Sequence, residues 1–212
     1  MTKIPLILKL KKQNHKEIAK AQDIIVKEVY NIFDKAILHG GTAIWRCYNG
    51  NRFSEDVDFY IPKNKQQINS LFEKLKQEFT VIKKKIGEKS LFSKLESNRN
   101  IVRLEALFKK QKGYLKEYEA SDNNLITIYT LTPEQLIKEK VNAYLKRLKI
   151  RDLYDIFFLL RYVKNKEEIS AELKTLIKEF KKPIDEQELK NIIIEGIIPN
   201  TKKMLEYIKR EA

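Results

Sequence analysis

The sequence predicts a mixed α/β (α+β) fold, with strands and helices alternating up to about residue 131 and helices alone from there to residue 212. Three observations carry this. Within 1–131, apolar residues recur at helical spacing in some segments and at period two in others. Gly, Pro and Asn mark the switches between the two periods. From Thr132 onward only helical spacing remains. Two domains are therefore expected, 1–131 and 132–212.

Residues 16–33 place Ile18, Ile24, Ile25, Val29, Ile32 and Phe33 at helical spacing. Ala36-Ile37-Leu38 reads as a short buried strand ending at Gly40-Gly41. Thr42 is expected to cap a short helix running to about Tyr48, and Asn49-Gly50-Asn51 to turn the chain. Residues 56–61 alternate as a strand, with Val57, Phe59 and Ile61 on one face. Pro62 ends it, and a helix follows over 65–79. Strands are expected at 80–86, 101–108 and 125–131. Thr132-Pro133-Glu134-Gln135 starts a helix, with Thr at the N-cap, Pro at the first helical position and Gln completing a capping box. Helices are expected over 133–148, 152–162, 166–180, 185–195 and 201–210.

Composition narrows the class. Hydrophobic residues make up 42% of the chain, too many for a disordered one, and 212 residues can bury a substantial core. No apolar run approaches the 18 or so residues that span a bilayer. The segment 1–12 lacks a signal-peptide pattern, so a cytoplasmic protein with no membrane partner is expected. One Cys and two His leave no set for a disulfide framework or a Cys- or His-based metal cluster. The net charge is +14, of which +10 falls in residues 1–130, favouring a polyanionic partner. Of the 43 basic residues 35 are Lys, which a merely solvated surface would also explain.

The chemistry concentrates between residues 40 and 58. A Gly pair between a strand and a helix lets backbone N–H groups approach an anion, and Thr42 adds a hydroxyl. Asp56 and Asp58 share a strand face by period-two alternation. Two carboxylates about 7 Å apart repel unless solvated or bridged by a hard cation such as Mg²⁺. In 101–108, Arg103 and Glu105 share the polar face, and Glu105 is the expected third metal ligand of a two-metal site with Asp56 and Asp58. The alternative is an ordinary Arg103–Glu105 surface pair.

Gly40-Gly41-Thr42-Ala43, leading through Arg46 to Arg52-Phe53-Ser54-Glu55-Asp56-Val57-Asp58-Phe59, resembles the AbiEii-type toxins of the DNA polymerase β-like nucleotidyltransferase superfamily. Glu139-Lys140 and Arg151-Asp152-Leu153-Tyr154-Asp155 resemble that family's later motifs, in the same order. The likeness spans roughly 36–160. It implies a minimal nucleotidyltransferase domain, a mixed sheet with flanking helices, followed by a helical domain. It implies a toxin of a toxin–antitoxin pair that transfers NMP from an NTP to RNA, the tRNA 3′ end, with a cognate antitoxin encoded nearby. A protein hydroxyl as acceptor and a non-catalytic nucleotide- or RNA-binding regulator are the alternatives.

On this reading Asp56, Asp58 and Glu105 hold metal. Gly40, Gly41, Thr42, Arg46, Arg52, Ser54, Lys140 and Arg151 contact nucleotide, with Arg46 one helical turn after Thr42. Lys140 is the leading triphosphate ligand and Asp152 orients it or joins in catalysis. Lys140, Arg147 and Arg151 form one basic stripe if their helix continues that far. Ser54 braces the turn, and its phosphorylation would set negative charge beside Asp56. His39, Trp45 and Cys47 are expected to be structural.

Overall fold

A computed structural model describes residues 4–212; the first three residues of the expected 1–131 domain lie outside the described residues. A seven-stranded mixed sheet organises the first part of the chain, in the order β3-β4-β5-β2-β1-β7-β6. The strands are β1 (Ile37–His39), β2 (Asp56–Ile61), β3 (Thr80–Ile86), β4 (Ser90–Ser97), β5 (Asn100–Phe108), β6 (Tyr114–Glu119) and β7 (Leu125–Thr130). β2 runs parallel to β5 and antiparallel to β1, and β1 meets β7 in parallel at Leu38–Thr130.

Among the described residues the first helices are α1 (Leu6–Lys9), α2 (Gln13–Ile32), α3 (Gly40–Cys47) and α4 (Lys65–Leu75). α2 packs on β2, β5 and α4. Its Ile18, Ile25 and Val29 lie in one continuous core with Val57 and Phe59 of β2, Val102, Leu104 and Ala106 of β5, and Ile68, Leu71 and Phe72 of α4. The opposite face of β5 stays open: Ile101 and Leu107 remain 47% and 44% exposed. Period-two alternation on β2 and β5 therefore sends the apolar set to the helices and Asp56, Asp58, Arg103 and Glu105 to the other side.

After β7 the chain is helical: α5 (Pro133–Arg147), α6 (Ile150–Leu159), α7 (Glu167–Lys178), α8 (Leu189–Ile192) and α9 (Thr201–Glu211), with short 3₁₀ turns at Leu160–Tyr162 and Glu186–Glu188. The capping box forms as expected. Thr132 Oγ1 accepts from the Gln135 amide at 3.2 Å, and Gln135 Oε1 accepts from the Thr132 amide at 3.0 Å. α5 stops at Arg147 because Leu148 adopts a left-handed conformation (φ 51°).

The structure departs from the sequence expectation in four places. α3 begins at Gly40 with His39 as its N-cap, two residues before Thr42. β4 escapes pattern reading because a serine, Ser93, occupies a buried position between Leu91 and Leu95. β6 escapes it as a charged edge strand whose first four residues are exposed. The expected helix over 185–195 breaks after Ile192. The run Ile192-Ile193-Ile194 is β-branched and instead pairs with the chain at 51–53, through an Arg52–Ile193 bridge and the bonds Phe53 N–H to Ile192 O and Ile194 N–H to Asn51 O.

Candidate active site

The sheet register assembles the acidic wall of a cleft. Parallel pairing sets Asp56 against Arg103 and Asp58 against Glu105, so the three carboxylates lie on neighbouring strands and one face. Gly41, Arg52, Ser54, Arg103, Lys140, Arg147 and Arg151 complete the lining of about 170 Å³ of space. A larger cavity of about 580 Å³ sits between α3 and the β6–β7 edge. It gathers no comparable set of facing carboxylates and cations, so the smaller cleft is the chemical candidate.

Each carboxylate has a distinct environment. Arg103 grips Asp56 with a two-pronged contact, Nε to Oδ1 at 2.5 Å and Nη2 to Oδ2 at 2.6 Å. Burial, and then the charges of Asp56 and Glu139, raise the Asp58 carboxyl against the opposing pull of His39 and Lys140. Burial, then Asp58 and Asp56, likewise raise Glu105. Gly40 is required beside them. Its φ is +71°, and a Cβ there would stand 2.3 Å from Asp58 Oδ2. A Cβ on Gly41 would fall 2.6 Å from both Arg52 Nη2 and Ser54 Oγ.

The cationic wall comes from α5 and α6. Asp152, fully buried, accepts from Arg147 at 2.7 and 2.8 Å and from Lys140 Nζ at 3.4 Å. Asp155, also fully buried, accepts from Arg52 Nε at 2.5 Å and Nη2 at 2.6 Å, and pairs with Lys140 Nζ at 2.7 Å. Burial alone would raise Asp155, but Arg52 and then Lys140 outweigh it and hold the carboxyl below the usual range. Arg151 reaches the cleft with no acidic partner among the described residues. Behind Asp58, His39 stacks on Tyr60 with ring centroids 4.0 Å apart, and its Nδ1 lies 3.2 Å from Glu139 Oε2. The Tyr60 hydroxyl also donates to Glu139. Burial would raise Glu139, but His39, Tyr60 and Lys140 hold its carboxyl low.

A family model described as the nucleotidyl transferase AbiEii toxin of type IV toxin–antitoxin systems matches residues 28–207. The chain belongs to the AbiEii family. It is thus a nucleotidyltransferase of the toxin–antitoxin kind. No curated protein sequence matches it significantly. Its fold is similar to that of JHP933 from Helicobacter pylori, at TM-score 0.67 and 19% identity over 94% of this chain and 90% of that one. It is also similar to MenT4, a nucleotidyltransferase toxin from Mycobacterium tuberculosis H37Rv, at TM-score 0.66 and 15% identity over 93% and 82% of the two chains.

Not every expected residue reaches the AbiEii cleft. Arg46 is turned inward, 1% exposed. It donates to the carbonyls of Ala19 and Glu119 and to Asp23, and lies over the rings of Trp45 and Tyr118. One helical turn from Thr42 therefore points it into the core, away from a nucleotide. Thr42 is fully buried and its hydroxyl donates to the Asp56 carbonyl, so it ties α3 to β2 and is not free for phosphate. The Arg52 fork is spent on Asp155. Ser54 lines the cleft at 8% exposure, wedged against Gly41, which leaves a modifying enzyme little access. Arg103 pairs with Asp56 rather than Glu105. The three carboxylates were expected to form a metal triad, yet among the described residues no three His, Cys, Asp or Glu groups stand at metal-holding distances. The basic stripe forms by another route: α5 ends at Arg147, and α6 returns Arg151 to the same cleft.

Sequence reasoning placed too little weight on Asp155, Arg103, Glu139 and His39. Period-two spacing from Glu105 marks Arg103 as sharing its face. His39 adjoins the Gly pair, and the β1–β2 register sets it opposite Asp58. No local signal distinguishes Asp155, whose role depends on two cations from distant segments.

Proposed function

We propose that this toxin transfers a nucleoside monophosphate from an NTP to RNA, at the 3′ end of a tRNA, in a magnesium-dependent reaction in the cytoplasm. The observation that supports this reading is the facing of Asp56, Asp58 and Glu105 by Lys140, Arg147 and Arg151 across one cleft. In the reaction the acceptor oxygen bonds to the α-phosphorus, the bond from that phosphorus to the β-phosphate oxygen breaks, and pyrophosphate leaves. Arg151, which has no acidic partner among the described residues, is the cation left to meet the triphosphate directly, and Lys140 and Arg147, held in place by Asp152, add positive charge at the cleft wall. Asp58 and Glu105 line the cleft beside the place where the acceptor hydroxyl must enter.

The donor chemistry suits a hard divalent cation, with three oxygen-bearing side chains on one sheet face, two of them raised by burial and then by neighbouring charge, although as they stand they do not close into a metal site. Asp56, Asp58 and Glu105 would hold Mg²⁺, with Asp56 released by Arg103. Bound there, the metal supplies charge neutralisation at the triphosphate and a lower pKa at the attacking hydroxyl. On this reading residues 1–131 form the catalytic unit, 132–212 supply the cationic wall, and the toxin's action is countered by a cognate antitoxin encoded nearby.

The test is incubation of the purified protein with total tRNA, Mg²⁺ and each α-³²P-labelled NTP, beside an Asp56→Ala/Asp58→Ala control. Label on tRNA that vanishes in the control is the expected result and names the base. Label on protein would replace the RNA acceptor with a protein hydroxyl. No label on either, with nucleotide still bound, would leave a binding protein.

A further inference from the structure

The open face of the sheet carries a feature that the cleft does not use. β3, β4 and β5 pair in register so that Lys83 stands opposite Lys94, Lys94 opposite Arg103, and Arg103 opposite Asp56. Three cations thus cross three adjacent strands in one line and end at a catalytic carboxylate. The next row reads Lys85, Phe92, Glu105, Asp58. Lys83 leans over the Phe92 ring, 5.8 Å from its centroid, which places both on the open side. Lys84 points the other way, over Phe72 of α4.

This arrangement is costly for a sheet. Like charges directly opposite one another destabilise strand pairing, and Lys is depleted in strands. Protection of a free edge explains lysines on β3. It does not explain Lys94 on the inner strand β4, and of the three cations only Arg103 has an anion, Asp56, among the described residues. Neither Lys83 nor Lys94 has an acidic partner among the described residues. Glu96 and Glu105 share the face, but Glu105 belongs to the cleft. A polyanion laid along the row would relieve the repulsion. The half-buried Phe92 offers a stacking surface for an unpaired base, the pairing of cations with an aromatic that single-stranded nucleic acid favours. From β3 to β2 the row crosses three inter-strand intervals, about 14 Å, enough for a few nucleotides.

We propose that the open face of β3, β4 and β5 is the track for the single-stranded 3′ end of the RNA acceptor. Lys83 and Lys94 hold its phosphates, Phe92 stacks a base, and its terminal hydroxyl is delivered to Asp58 and Glu105. This rests on the RNA-transfer reading and adds the path by which the acceptor arrives.

The experiment measures binding of a fluorescein-labelled single-stranded RNA with a free 3′ hydroxyl across a salt series without NTP, then transfer kinetics. It compares the full chain with Lys83→Ala/Lys94→Ala, with Phe92→Ala, and with Lys174→Ala/Lys178→Ala on α7, which removes equal charge elsewhere. The Lys83/Lys94 variant should lose about 1.4 from the magnitude of the salt slope, two contacts at about 0.7 each. Its KM for RNA should rise about tenfold or more while the KM for NTP stays within twofold. Phe92→Ala should weaken binding about tenfold, and the α7 variant should match the parent. An unchanged slope and RNA KM in a protein that does label RNA would overturn the track and leave the function standing. A parent that binds RNA through Lys83 and Lys94 but transfers nothing would overturn the function and keep the track. A parent that labels protein and binds no RNA would overturn both.

Discussion

Replacing Asp155 by Asn should destabilise this protein far more than any change at the rim of the cleft. Asp155 is fully buried and takes two contacts from Arg52, at 2.5 and 2.6 Å, and one from Lys140 at 2.7 Å. Both cations are themselves buried, 4% and 6% exposed. Asn keeps the shape and removes the charge. Lys140 retains Asp152 at 3.4 Å, but Arg52 is left with no anion in direct contact. Breaking one side of a buried ion pair costs about 3–5 kcal/mol. For a chain of this length each kcal/mol moves the melting midpoint by about 2–4 °C, so the fall should be about 6–20 °C. A total stability of about 5–15 kcal/mol lets most of the protein stay folded at 25 °C. Thermal melts followed by circular dichroism read this directly. The double change Arg52→Met/Asp155→Leu removes both charges and should recover at least half the loss. The pH dependence has a definite sign. The carboxyl is held below its unfolded value, so its contribution is full above about pH 4 and is lost as pH falls through the folded pKa. The gap between parent and variant should therefore narrow in acid. An Asp155→Asn midpoint within 2 °C of the parent at pH 7 would refute the reasoning.

Other outcomes follow from the same geometry. Asp58→Asn should cut transfer by about 10³-fold, the scale of a lost metal contact, yet raise the melting midpoint at pH 7. The native state strains against this charge, so its contribution to stability declines as pH rises through the raised pKa; an unchanged or lower midpoint would contradict this. Arg103→Ala should free Asp56 and tighten Mg²⁺ binding in calorimetry while changing stability by under about 1 kcal/mol, since the Arg103 side chain is 40% exposed; weaker Mg²⁺ binding would oppose the idea that Arg103 occupies the cation's place. Arg46→Met should lower stability by about 1–3 kcal/mol, since it removes a buried cation from Asp23, which keeps Tyr118 and Ser121, and from two carbonyls, with the NTP KM of the folded fraction unchanged. A selective rise in that KM would return Arg46 to the nucleotide.

Much of the architecture was legible because it is encoded locally. Period-two alternation sent Val57 and Phe59 inward and Asp56 and Asp58 outward. The Thr132–Gln135 capping box announced α5. Glu105 could be assigned a face, though not a neighbour. The strands that were missed, β4 and β6, have weak local patterns: one buries a serine, and the other is a charged edge. The helix expected over 185–195 was overridden by pairing with residues 51–53, a contact invisible to any short window.

By itself, then, the sequence determined which residues form strands and helices over most of the chain, which side of each faces the core, and that carboxylates and a glycine pair would meet near one strand end. Tertiary structure decided the partners. It gave Asp56 to Arg103, enclosed Asp155 between Arg52 and Lys140, turned Arg46 into the core and lined up Lys83, Lys94 and Arg103 across the sheet. The physical reason is range. Backbone periodicity and capping act over a few residues, whereas strand register and helix packing between them bring together groups from 5 to more than 100 positions apart, and the electrostatics of the cleft depend on those choices.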